Sequence, residues 1–154
     1  MLGDMSDVAA EAKKILETML GKLGFEHEVE VVGDEDHLTL NILSPDQAIL
    51  IGKGGDRLDD LQYLTNRILR GIDADAPRVR VDCDGFRTQQ EDRVKDKARG
   101  LADKVKASGK EFWMSPMNSY HRRLVHNALA DDAEVESVSE DSNMRNKKIL
   151  IRLK

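Results

Sequence analysis

Residues 51–55 read Ile51-Gly52-Lys53-Gly54-Gly55, with helical signals on both sides. The spacing predicts a Gly52-x-x-Gly55 turn between two short helices. Glycine takes positive φ without the Cβ penalty and lets a foreign backbone come close. Two helix termini with main-chain amides between them suit a phosphate group. A plain Gly-rich connector has the same four residues, so the flanks decide.

Upstream, Ser44-Pro45-Asp46-Gln47 reads as a helix start. Ser44 and Gln47 have capping-box spacing, and Pro45 takes the first helical position. Ala48, Ile49, Leu50 and Ile51 follow before Gly52 stops the helix. Downstream, Asp56 is the expected cap of a second helix with Leu58, Leu61, Leu64, Ile68 and Leu69 at apolar positions, ending at Gly71. Asp59 and Asp60 in its first turns and Arg67 and Arg70 in its last suit the helix dipole. Alternation of Leu38, Leu40 and Ile42, and of Val79, Val81 and Cys83, predicts half-buried strands over 37–43 and 78–83. A helix over 8–23 and a strand over 25–32 precede them.

The order helix, strand, strand, helix, Gly-x-x-Gly, helix, strand resembles a type II KH domain, whose turn clamps about four nucleotides of unpaired nucleic acid. Many KH turns carry two polar or basic residues between the outer glycines. Here the pair is Lys53 and Gly54, with Arg57 just beyond, so backbone amides carry more of the contact.

The 154 residues allow one ordinary domain or two small ones, and 40% hydrophobic content supports packed cores. No stretch of about 18 apolar residues predicts a membrane span. The start, Met1-Leu2-Gly3-Asp4, lacks the basic and apolar regions of a secretory leader. Cys83 stands alone on the apolar side of its strand, which predicts a buried small hydrophobe and suits a reducing cytosol. The net charge of −5 hides an asymmetry. Residues 1–84 hold 9 basic and 18 acidic side chains, a balance of −9, and residues 85–154 hold 15 and 11, a balance of +4. An acidic first half must bind a polyanion through a local site, with modest affinity and strong salt dependence.

The domain boundary is expected near Asp84–Gly85. Beyond it, a charged helix to about residue 107 packs through Val94, Ala98, Leu101, Ala102 and Val105. Its other faces mix both charges, the pattern of a solvated surface. A strand over 111–114 leads to a turn at Ser115-Pro116-Met117-Asn118, with Asn118 capping a helix over 119–130. At about 100° per residue, Leu124, Val125, Ala128 and Leu129 form its packing side, and Tyr120, Arg122, Arg123, His126 and Asn127 gather on a polar side. Strands over 135–139 and 148–153, joined by a polar loop through Asn143 and Asn146, complete a small α+β unit.

Arg122-x-x-x-His126 puts two basic groups one turn apart, beside Arg123 and Tyr120, where they can hold a phosphate and stack a base. One small nucleic-acid-binding domain family takes its name from this Arg-x-x-x-His spacing. The fold class expected is thus α+β: a type II KH domain over 1–84, then an Arg-x-x-x-His domain over 85–154.

That order, with Leu50-Ile51-Gly52-Lys53-Gly54-Gly55, Leu58-Asp59-Asp60-Leu61-Gln62-Tyr63-Leu64, Val81-Asp82-Cys83-Asp84-Gly85-Phe86-Arg87 and Pro116-Met117-Asn118-Ser119-Tyr120-His121-Arg122-Arg123-Leu124-Val125-His126, resembles the bacterial Jag family. These proteins are associated with the sporulation-stage membrane insertase and described as regulators of cell elongation. The resemblance implies a single-stranded RNA-binding protein of the bacterial cytoplasm, and a partnership with a small stand-alone KH protein or self-association. Carried over by motif, RNA contacts fall on Gly52, Lys53, Gly54, Gly55 and Arg57, and on Arg122, Arg123 and His126. Many relatives carry a further N-terminal Jag domain, which this sequence is read as lacking. Where relatives often have an acidic residue, His121 stands here and is expected to be structural.

An enzyme is the first rival reading. The sequence shows no Ser/His/Asp array, no Cys/His metal spacing, no carboxylate pair and neither a Walker loop nor a dinucleotide fingerprint, so no catalytic residue, metal or cofactor is expected. A protein-interaction adaptor paired with another KH protein is the second rival. A single-stranded DNA binder is the third.

Overall fold

The computed structural model describes residues 2–34 and 36–154; Met1 and Glu35 lie outside the described residues. The chain is mixed α+β and divides into two compact units, Met1–Arg87 and Thr88–Lys154.

The first unit runs α1 (Met5–Lys22), β1 (Glu28–Val32), β2 (Thr39–Leu43), α2 (Gln47–Ile51), a single 3-10 turn (Lys53–Gly55), α3 (Asp56–Ile72) and β3 (Arg80–Cys83). Its sheet has the order β1-β2-β3. β1 pairs antiparallel with β2, with Glu28 opposite Leu43. β3 lies parallel to β2, with Thr39 opposite Arg80. Parallel neighbours need a long crossover, and α2, the glycine turn and α3 supply it.

Inward residues of the three strands, Val29, Leu40, Ile42, Val81 and Cys83, meet Ala12, Leu16 and Leu20 of α1 and Leu58, Leu61 and Leu69 of α3. Each fully buried leucine contributes about 1.5–3 kcal/mol. Two α3 side chains finish the free edge of the sheet. Asn66 accepts from the Val79 amide at 2.8 Å and donates to the Val79 carbonyl at 2.7 Å; Gln62 accepts from the Val81 amide at 3.0 Å. α3 is thereby bolted to β3. Burial pushes the Cys83 thiol up to about 11, so the thiol stays protonated and unreactive at neutral pH.

Several local expectations give way to tertiary contacts. Ser44 closes no capping box: its hydroxyl donates to the Glu26 carbonyl at 2.6 Å and accepts from the Asp46 amide at 3.1 Å. The residue preceding α2 is Asp46, which makes no side-chain cap, and Pro45 stands outside the helix. Gly55, not Asp56, occupies the cap position of α3, which runs one residue past Gly71. Leu64 and Ile68 face outward at 45% and 43% exposure, and Thr65 takes the buried position between them. Leu23, just past the end of α1, is also exposed.

The second unit is built from α4 (Phe86–Ser108, whose first two residues belong to the first unit), β4 (Phe112–Met117), α5 (Ser119–Leu129), β5 (Val135–Ser139) and β6 (Lys147–Leu153). Its sheet is antiparallel, in the order β4-β6-β5. Ala98, Ala102 and Val105 of α4 and Val125 and Leu129 of α5 pack on Met114, Val135, Ile149 and Ile151. Val94 and Leu101 are only partly covered. The Ser115-Pro116 step, read as a turn, is an irregularity inside β4, where the register with β6 shifts between Met114 and Met117. An edge-strand bulge accommodates a proline, which has no amide to give the ladder. Lys106 and Asp132 form an ion pair at 2.5 Å. Asp132 also accepts from the Glu134 and Val135 amides, tying α4 to the start of β5. No helix among the described residues is long and apolar enough to cross a membrane.

Candidate nucleic-acid interface

The glycine turn of the first unit uses three positive-φ residues in a row of four: Gly52 (φ 72°, ψ −165°), Gly54 (φ 63°) and Gly55 (φ 88°). Lys53 and Gly54 form its exposed tip, while Gly55 is buried beneath. A Cβ on Gly55 would stand 3.0 Å from the Phe86 ring; one on Gly54 would meet nothing within 4 Å. The tip is thus open and its base is packed.

Arg57 reaches back across the turn, donating from Nη1 to the Ile49 carbonyl at 3.0 Å, and it remains exposed. The five predicted residues Gly52, Lys53, Gly54, Gly55 and Arg57 therefore gather at one place. Asp56, Asp59 and Asp60 lie there too. Arg87 offsets one of them, pairing with Asp59 at 2.8 Å while its Nε donates to the Val81 carbonyl at 2.8 Å. Phe86 and Arg87 thus buttress the turn from a segment about thirty residues downstream, a role that spacing within the turn could not reveal.

In the second unit, Asn118 caps α5 by accepting from the His121 amide at 2.9 Å. His121 is half-buried at this cap, its ring 5.8 Å from that of Tyr120. The polar side expected of α5 is split. The fully buried residues are Val125 and Leu129, at about 300° and 340° on the helical wheel, so their neighbours at about 0° and 40°, Arg122 and His126, border the core. Arg122 Nη1 donates to the Met117 carbonyl at 2.7 Å and the Arg145 carbonyl at 3.3 Å. His126 lies between two hydroxyls of β5, with Nδ1 2.6 Å from Ser137 Oγ and Nε2 3.1 Å from Ser139 Oγ. Ser137 and Ser139 are two apart on a strand, hence on one face. Arg123 and Asn127 point to solvent.

His126 titrates below its ordinary value of 6.5. Burial pushes it down, the hydrogen bond with Ser137 works the other way, and the nearby Arg122 charge adds to the lowering. The ring is therefore neutral at neutral pH. The folded protein takes up this proton less readily than the unfolded chain does. The stability from neutral His126 is complete above 6.5 and is lost as the pH falls from there through the lower folded value. The melting temperature of the wild type should drop below pH 6.5 more steeply than that of His126→Gln, which keeps hydrogen-bonding capacity without the titration. Parallel melting profiles would refute this assignment.

The family model for the Arg-x-x-x-His domain matches residues 92–153. Over 112 residues the chain is 35% identical to RNA-binding protein KhpB of Clostridium symbiosum, covering 73% of this chain and 50% of that one. The chain belongs to the Jag family. It is 32% identical over 119 residues to KhpB of Lactiplantibacillus plantarum, covering 77% and 37%, and 28% identical over 124 residues to KhpB of Bacillus subtilis, covering 80% and 60%. The chain thus spans about half the length of the curated relatives it matches.

Proposed function

We propose that this Jag-family chain binds single-stranded RNA, with the first unit acting as a type II KH domain and the second as its Arg-x-x-x-His partner. The observation that carries the reading is the turn at Gly52–Gly55: an exposed tip, a packed base, and a helix start in α3 directed at it. The order α1-β1-β2-α2-turn-α3-β3, with β2 parallel to β3, supports the KH reading, and the name of the relatives supports RNA as the ligand. We place the boundary of the KH domain at Asp84–Gly85, with Phe86 and Arg87 still packed on it. Lys53 and the turn amides meet one stretch of backbone, with Arg57 beside them. Arg122, Arg123 and His126 form the second contact. Through the family the proposal extends to a cytoplasmic post-transcriptional regulator, without catalytic chemistry, linked to cell elongation or the envelope.

The test is a titration of the full chain with a fluorescent single-stranded RNA, its DNA counterpart and the RNA duplex, at several salt concentrations. The single-stranded RNA should bind most tightly, with affinity falling linearly in log salt. Equal binding of the DNA strand would favour the DNA reading, and preference for the duplex would defeat the clamp.

A second reading has its own observation. Leu64, Ile68 and Ile72 line α3 at four-residue spacing and are each 43–45% exposed, beside Tyr63 at 67%. Such a stripe suits a protein partner, as the adaptor reading requires. Absence of RNA binding with retention of a KH-protein partner would decide for it.

A further inference from the structure

We infer that the loop from β5 to β6 is a phosphate-contacting element in the second unit, with Arg145 and Lys147 as its cations and Arg122 as the post that holds it. The inference rests on the RNA-binding reading above and adds residues to it.

The segment 142–148 reads Ser142-Asn143-Met144-Arg145-Asn146-Lys147-Lys148, three cations and no carboxylate. Arg145 is exposed, and Met144 beside it is 68% exposed. Neither Arg145 nor Lys147 forms an ion pair among the described residues, whereas Lys106, Arg99 and Arg152 of the same unit do.

Arg122 explains why this loop has a fixed place. One guanidinium nitrogen bonds both the Met117 carbonyl and the Arg145 carbonyl. Met117 is also the register partner of Lys147. The guanidinium thus sits where β4 ends and β6 begins, one residue to either side of Asn146. Lys147 alternates in phase with Ile149 and Ile151, so it shares the helix-covered face of the sheet with Arg122. Lys148 falls on the opposite face. His126, hydrogen-bonded at both ring nitrogens, contributes no charge at neutral pH. Three cations therefore converge at one end of the sheet, close enough for one strand of phosphodiester to neutralise, and bringing them together without carboxylates costs repulsion that a bound polyanion removes.

The experiment is fluorescence anisotropy of the full chain with a single-stranded uridine oligonucleotide across a salt series. Each phosphate contact on a single strand contributes about 0.7 to the slope of log affinity against log salt. Arg145→Gln with Lys147→Gln should therefore flatten the slope by about 1.4, while Lys148→Gln leaves it unchanged. Arg122→Gln should flatten it by more than one contact's worth, and should speed amide hydrogen exchange over 142–147 with no RNA present. An unchanged slope in the double variant, with the wild type binding, overturns the loop site alone. Normal exchange in Arg122→Gln, with a loss of about 0.7, makes Arg122 an ordinary contact and overturns its role as post. A wild type that does not bind the oligonucleotide overturns both this inference and the reading beneath it.

Discussion

Lys53→Asp with Gly54→Asp should weaken binding to single-stranded RNA by at least about thirtyfold while leaving the fold intact. Both positions lie on the exposed tip of the turn. Gly54 has φ 63° and ψ 16°, and a Cβ there meets nothing within 4 Å. Aspartate is among the residues that tolerate this left-handed conformation, at about 1 kcal/mol. The substitutions remove one cation and add two anions beside Asp56, Asp59 and Asp60, of which only Asp59 is offset, by Arg87. A hydrogen bond to a charged group contributes about 1.5–3 kcal/mol. Taking about 2 kcal/mol, at about 1.4 kcal/mol per tenfold, gives the stated factor. Filter-binding titration measures it, with thermal melting as the check on folding. Wild-type affinity in a folded variant would show that the turn is no clamp and would move the case to the adaptor.

Much of the fold was legible because its signals are local. Alternation around Leu40 and Ile42, and around Val81 and Cys83, marked the strands, since one face of the sheet is packed and the other is not. Asn118 announced the start of α5 because a cap bonds within its own turn. Ser44 misled because its hydroxyl found a partner 18 residues away in Glu26, which no window of sequence contains. Leu64 and Ile68 misled because helical spacing specifies an apolar stripe without saying how wide a stripe the neighbours cover. Thr65 fitted the buried side by donating to the Leu61 carbonyl at 2.7 Å.

The candidate site divides in the same way. The first cluster was legible because its residues are nearly contiguous. Its support from Phe86 and Arg87 was not, because it arrives from another element. The Arg122 and His126 pairing was legible as spacing, but its orientation was not. Their partners stand 23 and 11 residues on, at Arg145 and Ser137. The helical wheel placed both residues next to Val125 and Leu129, and a border position turns inward when the adjoining strand offers carbonyls and hydroxyls.

Gly52→Ala should destabilise the first unit by about 3 kcal/mol, which separates the demands of the turn from those of its ligand. Gly52 has φ 72° and ψ −165°, a region that is essentially glycine's alone and costs other residues about 1–3 kcal/mol. A Cβ would also stand 2.2 Å from Asp56 Oδ1 and 2.8 Å from Arg57 Cγ. The Asp56 carboxylate can swing away, losing its contact with the Arg57 amide. The Arg57 stem cannot yield without giving up the bond from its guanidinium to the Ile49 carbonyl, worth about 1 kcal/mol. That bond joins the start of α3 to the end of α2, so the variant should loosen the angle between the two helices as well as the turn. Gly54→Ala is the internal control: it meets open space and should cost only about 1 kcal/mol. Urea unfolding followed through hydrogen exchange of the α3 amides compares the two. If Gly52→Ala proves no more costly than Gly54→Ala, the backbone at Gly52 is freer than its dihedrals imply, and the turn holds its shape through Gly55 and Phe86 instead.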